Sequence, residues 1–237
     1  MTQRQGPKLV LFDIDGTLMI TKGASSRCLT RAGEAVIGPH FVWPKITPGQ
    51  LDPQIIAQLI TDNGAEPSDQ LVKAFGEAYH AELERELIAR QVDITILPGI
   101  DHLVKQLDGR AKKQSDVAMG VLTGNSRRAT ELKLTLSGLG TERFTVIICA
   151  EDGRHRDELP AVAIRQFNQQ AGVEVDPART FIVGDTPRDI QCAQANGCQS
   201  IAVATGRYDE DQLRQAGGRW VFADLSDTDA VMSLIDQ

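Results

Sequence analysis

The sequence predicts an α/β fold, a doubly wound, Rossmann-like parallel sheet carrying an inserted α-helical domain. Three observations carry this prediction. Six short apolar runs have the length and near-continuous hydrophobicity of buried strands, helical segments separate them from Val117 onward, and about a hundred residues between the first two runs are patterned as helix instead. Continuously apolar strands need cover on both faces, and helical crossovers between parallel strands supply it.

The first strand is read at KLVLF (8–12). Helices follow: SSRCLTRAGEAVIG, read as starting on serine caps; LDPQIIAQLITDNG, with an Asp-Pro start and an Asn-Gly stop; and PSDQLVKAFGEAYHAELERELIAR, which places Leu71, Val72, Phe75, Tyr79, Leu83 and Leu87 on one stripe. Residues 21–95 are therefore expected to form a small helical domain, with 1–20 and 96–237 as the core. LPGI at 97–100 marks the return. The remaining strands are VAMGVL (117–122), FTVIIC (144–149), TFIVG (180–184), SIAVA (200–204) and the weaker WVF (220–222). Between them, SRRATELKLTLSGLG ends in a Gly stop, LPAVAIRQFNQQAG has Pro160 in its first turn and Gly172 at its end, and TPRDIQCAQANG repeats that design with Pro187.

Composition narrows the partners. A chain of 237 residues with 41% hydrophobic and 24% charged residues is an ordinary globular protein of one or two domains. Its net charge of −7 disfavours nucleic acid and anionic membranes, both of which need a clustered positive surface. The opening MTQRQGPK is polar with no apolar segment behind it, and no apolar run approaches the roughly 18 residues of a membrane span, so a cytoplasmic location is expected. Cys28, Cys149, Cys192 and Cys198 lack zinc or disulfide spacing and are expected as free thiols, Cys149 as a small buried hydrophobe.

The chemistry is concentrated at strand ends. In LVLFDIDGTL, Asp13 and Asp15 are two residues apart, so an extended backbone presents both carboxylates on one side while Ile14 points to packing. Gly16 permits close approach of a ligand and Thr17 offers a hydroxyl, so both are expected to contact a bound phosphate, Thr17 being otherwise a helix cap. By itself this is an ordinary acidic turn. The second core strand, however, ends in VLTGNS, where Thr123, Gly124 and Asn125 can hold an anion at the start of a helix. Another ends in IVGDTPRD, with Asp185 at its end and Asp189 one turn into a helix.

Ligands of open α/β sheets bind outside the carboxyl ends of the strands, so Asp13, Asp15, Thr123 and Asp185 are expected to converge. Three carboxylates that close together repel unless a cation stands among them. Oxygen donors select a hard one, and Mg²⁺ is the expected cofactor.

With these motifs in hand, the sequence resembles the haloacid dehalogenase superfamily, in particular its phosphatase branch with a helical cap. DIDGT at 13–17 matches the first motif, VLTG at 121–124 is similar to the second and GDTPRD at 184–189 to the fourth. The resemblance spans about residues 8 to 205. It implies that Asp13 is the nucleophile, that Asp15 is the acid and then the base, and that Thr123 with neighbouring amides binds the phosphoryl group. It implies Mg²⁺ held by Asp13, the backbone carbonyl of Asp15 and Asp185, supported by Asp189. The resemblance also implies a reaction at a phosphate ester, because members that displace halide or cleave carbon–phosphorus bonds generally lack an acid at the position of Asp15.

The third motif departs from the family pattern, for EDGRHRDELPAVAI contains no lysine. Arg156 is nearest the expected position and carries the same charge with a bidentate grip, ahead of Arg154 and His155. Lys112 and Lys113 are expected to face solvent. PGQLDPQI is similar to a cap loop of phosphoglycolate-phosphatase-like members, which implies that Gly49 and Asp52 face the substrate, Asp52 being otherwise a helix cap. Arg27 and Arg31, one turn apart, are positioned to meet an anionic substrate or to form a solvated face. The expected substrate is a small phosphorylated metabolite. The rival readings are a sugar phosphomutase of the same superfamily and a non-catalytic phospho-aspartate signalling or binding protein.

Overall fold

The computed structural model describes residues 6–44, 46–89, 94–114 and 116–237. The start of the polar opening and Arg90, the end of the predicted long helix, lie outside the described residues. The chain enters through β1 (Lys8–Phe12) and then a ribbon in which β2 (Met19–Ile20) pairs antiparallel with β3 (Thr95–Ile96). Between these two short strands lie α1 (Ala24–Val36), α2 (Asp52–Asp62) and α3 (Asp69–Glu84), the last continued by a π-helical turn over Arg85–Ala89. After β3 come α4 (Ile100–Gln114), β4 (Val117–Leu122), α5 (Arg127–Leu136), β5 (Val146–Ile148), α6 (Leu159–Ala171), β6 (Thr180–Gly184) and α7 (Pro187–Ala195). The chain closes with β7 (Gln199–Val203), α8 (Glu210–Gln215), β8 (Trp220–Phe222) and α9 (Thr228–Asp236).

The main sheet has the order β5-β4-β1-β6-β7-β8, and every pairing is parallel. All five residues of β1 are buried, and they alternate between two cores. Val10 and Phe12 pack with Leu103 and Leu107 of α4 and Val231 and Ile235 of α9. Leu9 and Leu11 pack with Leu159, Ala163 and Phe167 of α6 and Cys192 of α7. A strand covered on both sides has no solvated face, which is why it reads as an unbroken apolar run.

The chain order reverses direction at β1: β4 and β5 are laid on one side, β6, β7 and β8 on the other. This is a topological switch point, and the crevice beyond it opens at the carboxyl end of β1 between those of β4 and β6. The three motif-bearing strands are therefore adjacent.

The three helices of the insertion have a core of their own. The stripe Phe75, Tyr79, Leu83 and Leu87 is buried against Cys28, Leu29, Ile56, Leu59 and Ile60, with Leu71 and Val72 partly buried at its edge. Ala129 of α5 joins this cluster, so the insertion is seated on the main body.

Several local expectations are corrected. Ser25 and Ser26 do not cap α1, whose N-cap is Gly23 in the left-handed region at φ 78°. Asp52 is not the cap of α2 either; Leu51 holds that position and Asp52 is the first helical residue. β5 is shorter than the apolar run, because Cys149 already caps a 3₁₀ turn through Asp152. Helices α4, α8 and α9 occupy stretches where polar residues, such as GRAKKQ at the end of α4, dilute the periodic signal. All four cysteines are buried and free.

Candidate active site

Asp13 stands directly after β1, its backbone N–H donating to Val183 O of β6 at 2.9 Å. This bond sets the carboxylate between the ends of the two strands. Asp185, directly after β6, and Asp189, in the first turn of α7, complete a group whose carboxylate oxygens lie within 4.8 Å of one another. All three residues are buried. Asp189 is also structural: its Oδ2 accepts from the N–H and hydroxyl of Thr186 at 3.0 and 2.7 Å, closing the capping box of α7.

A single buried guanidinium meets this group. Arg156 opens a 3₁₀ turn before α6, and its Nη2 lies 2.5 Å from Asp189 Oδ1 and 3.3 Å from Asp13 Oδ2. Arg154 and His155, the other candidates of that stretch, are exposed, and so are Lys112 and Lys113. The Arg156 Nε–H is buried with no protein acceptor among the described residues. Among the described residues, three carboxylates face one guanidinium, so the acidic groups outnumber the paired cation by two.

The titration behaviour agrees. Burial, with Asp13 and Asp189 alongside, pushes the Asp185 carboxyl up to about 8. Asp13 is raised to about 6 by burial, with Arg156 pulling the other way. The oxygen-only donor set and its uncompensated charge suit a divalent cation.

Space for such an ion comes from missing side chains. A Cβ on Gly16, which sits at φ +84°, would stand 2.5 Å from Asp185 Oδ2, and one on Gly206 would stand 1.7 Å from the same oxygen. Thr17 turns its hydroxyl onto Asp185 Oδ1 at 3.3 Å and is absent from the cavity wall, so it orients the carboxylate where a phosphate contact was expected.

The VLTG loop contributes less free backbone than its sequence suggests. Thr123 N donates to Ile148 O, Asn125 N to Thr123 Oγ1, and Ser126 N to Asp52 Oδ2 at 2.8 Å. Among the described residues, only the Gly124 N–H of this loop is left without an acceptor. Thr123, Gly124 and Asn125 nevertheless line the same cavity as Asp13, Asp15, Arg156 and Asp185.

That cavity measures about 760 Å³, and its far wall belongs to the insertion, through Trp43, Ile46, Gly49, Asp52 and Tyr79 among others. Gly49 O accepts from Arg156 Nη1 at 3.3 Å, Asp52 N donates to Gly124 O at 2.7 Å, and His80 Nε2 meets Ser126 Oγ at 2.7 Å. The insertion is thus hydrogen-bonded onto the motif loops. Burial raises the Asp52 carboxyl to about 6, against the pull of the Ser126 N–H.

Two expectations change. Arg27 and Arg31 are engaged within the insertion, Arg27 with Glu86 and Arg31 with Glu82 and Glu86, and neither lines the cavity. The second concerns Asp15, whose side chain stands apart from the Asp13, Asp185 and Asp189 group and accepts instead from Lys133 Nζ at 2.6 Å and Asn125 Nδ2 at 2.8 Å. Lys133 is absent from the sequence reading. Its signal was available: the buried face of α5 runs Ala129, Thr130, Lys133, Leu134, so a lysine falls on the core stripe of an amphipathic helix.

Comparison with known proteins gives a consistent picture. The sequence profile described as haloacid dehalogenase-like hydrolase matches residues 10–203. The phosphoglycolate phosphatase of Synechococcus elongatus is 29% identical over 145 residues, 61% of this chain and 63% of that protein, just under two thirds of its length. The phosphoglycolate phosphatase of Pseudomonas savastanoi pv. phaseolicola is 26% identical over 92% of this chain and 77% of its own. The crystal structure of β-phosphoglucomutase from Clostridium difficile superposes with a TM-score of 0.73 at 15% identity, covering 97% of both chains, a likeness of fold.

Proposed function

The chain belongs to the haloacid dehalogenase-like hydrolases and is a phosphatase of that family, and on that premise we propose that it hydrolyses a small phosphorylated metabolite, phosphoglycolate or a sugar phosphate, by way of an aspartyl phosphate on Asp13. The observation that carries this reading is the gathering of Asp13, Asp185 and Asp189 around one buried arginine at the mouth of β1. Relatives named phosphoglycolate phosphatase support the substrate class.

Asp13 attacks phosphorus, the new oxygen–phosphorus bond forms as the ester bond breaks, and the departing oxygen takes a proton from Asp15. In the second step Asp15 takes a proton from water as that water attacks phosphorus and releases Asp13. Arg156, already against Asp13, holds the phosphoryl oxygens with its unshared Nε–H, and Thr123 and the Gly124 N–H assist. Asp13, the backbone carbonyl of Asp15, Asp185 and Asp189 would hold Mg²⁺, which supplies charge neutralisation at the transferring group.

Residues 21–95 act as a cap, excluding water and selecting the leaving group through the wall they give the cavity. A cytoplasmic setting fits this substrate class.

Purified protein should release inorganic phosphate from p-nitrophenyl phosphate and from phosphoglycolate with Mg²⁺ present. EDTA and Asp13→Asn should each stop it. Inertness toward a broad panel of phosphate esters would overturn the reading, and an isomerised product without phosphate release would replace it with a mutase.

A further inference from the structure

Lys133 is entirely buried, although its side chain ends in an amine that needs polar partners. Its Nζ donates to Asp15 Oδ2 at 2.6 Å and to Asn125 Oδ1 at 2.7 Å, and Asn125 Nδ2 donates to the same Asp15 oxygen at 2.8 Å and to Thr123 Oγ1 at 2.8 Å. The three side chains close a ring. Asp52, on α2, is near enough for its carboxyl to feel Lys133.

A buried ammonium is costly even when paired, and a leucine at this position of the α5 stripe would pack at no such cost. Such a ring repays that cost in orientation. Asp15 follows the end of β1 in a turn and its side chain is 41% exposed, so packing alone does not hold it. Both donors grip one oxygen, Oδ2. Oδ1 has no partner among the described residues, and Asp15 lines the cavity.

We propose that Lys133, aided by Asn125, is a positioning residue that aims Asp15 Oδ1 at the leaving-group oxygen. The proposal rests on the phosphatase reading of the same site. Neither side chain is required to exchange a proton: the proton passes between Asp15 and the ester oxygen in the first step, and between water and Asp15 in the second.

Leaving groups differ in how much they need that proton. A dinitrophenolate departs almost unaided, a phenolate does not, and a misaimed acid therefore costs rate only with the poorer one. The test measures kcat/KM of the wild type and Lys133→Met, with Mg²⁺, on dinitrophenyl, p-nitrophenyl and phenyl phosphate. We expect a loss of about 100-fold on phenyl phosphate against less than about 5-fold on dinitrophenyl phosphate, the profile Asp15→Asn should also give. An equal loss on all three esters, as weaker phosphate binding or a damaged fold would produce, overturns the proposal, and so does no loss. If circular dichroism shows Lys133→Met unfolded, Asn125→Ala carries the same test, with a smaller loss that must still grow from dinitrophenyl to phenyl phosphate. Wild type inert on all three esters overturns the phosphatase reading together with this proposal, whereas an active wild type with a flat variant profile overturns the proposal alone.

Discussion

Arg156 bridges Asp13 and Asp189 with a single nitrogen, Nη2, at 3.3 and 2.5 Å. It places one positive charge, carried on a 3₁₀ turn, between the two carboxylates. Removing it leaves two buried carboxylates facing each other. Arg156→Met should lower kcat/KM by at least about 100-fold and cost about 3 kcal/mol of stability in urea melts without metal. Arg156→Lys should restore part of both. Unchanged activity in Arg156→Met would remove the arginine from the site.

Stability should depend on pH through the cation site. Asp185 titrates near 8 in the fold against an ordinary value of 3.8, and Asp13 is shifted the same way. A carboxyl raised by folding holds its proton better folded than unfolded, so its contribution is present below about pH 4 and is lost as pH rises toward about 8. A bound cation displaces that proton. The melting temperature of the metal-free protein should fall between about pH 5 and pH 8, while the rise on adding Mg²⁺ should widen over the same window. Differential scanning fluorimetry would read this directly, and a constant Mg²⁺ effect across pH would contradict it.

Gly16 and Gly138 separate crowding from backbone strain. Both have positive φ, at 84° and 79°, but a Cβ on Gly16 would collide with Asp185 while one on Gly138 would meet nothing within 4 Å. Gly138→Ala should cost about 1 kcal/mol and leave Mg²⁺ affinity alone. Gly16→Ala should weaken Mg²⁺ binding by tenfold or more, on the order of 1.4 kcal/mol, in isothermal titration calorimetry.

Arg31 tests the insertion's internal ion pairs. Because it binds Glu82 and Glu86 and does not reach the cavity, Arg31→Ala should lower stability by about 1 kcal/mol and change kcat/KM by less than about twofold. A large rise in KM would return Arg31 to the substrate.

The sequence by itself determined the strand runs, the parallel sheet and the place of the helical insertion, because each rests on rules that act between near neighbours. Two-residue alternation fixed Asp13 and Ile14 to opposite sides, and proline and glycine punctuation bounded α6 and α7. The gathering of Asp13, Thr123 and Asp185 was legible too, since parallel strands must end on one edge. Which partner each side chain takes was decided only by tertiary structure. The resemblance ranks Arg156 ahead of Arg154 and His155, but it is the fold that buries Arg156 at the start of a 3₁₀ turn and leaves the other two exposed. Thr17 was equally suited to phosphate or carboxylate until Asp185 arrived beside it, and Lys133 was a surface-type residue until Asp15, 118 residues away, met its ammonium. Short-range patterns are encoded by the steric and hydrophobic character of the chain, but a buried charge acquires its role from whichever distant group the packed sheet brings within a hydrogen bond.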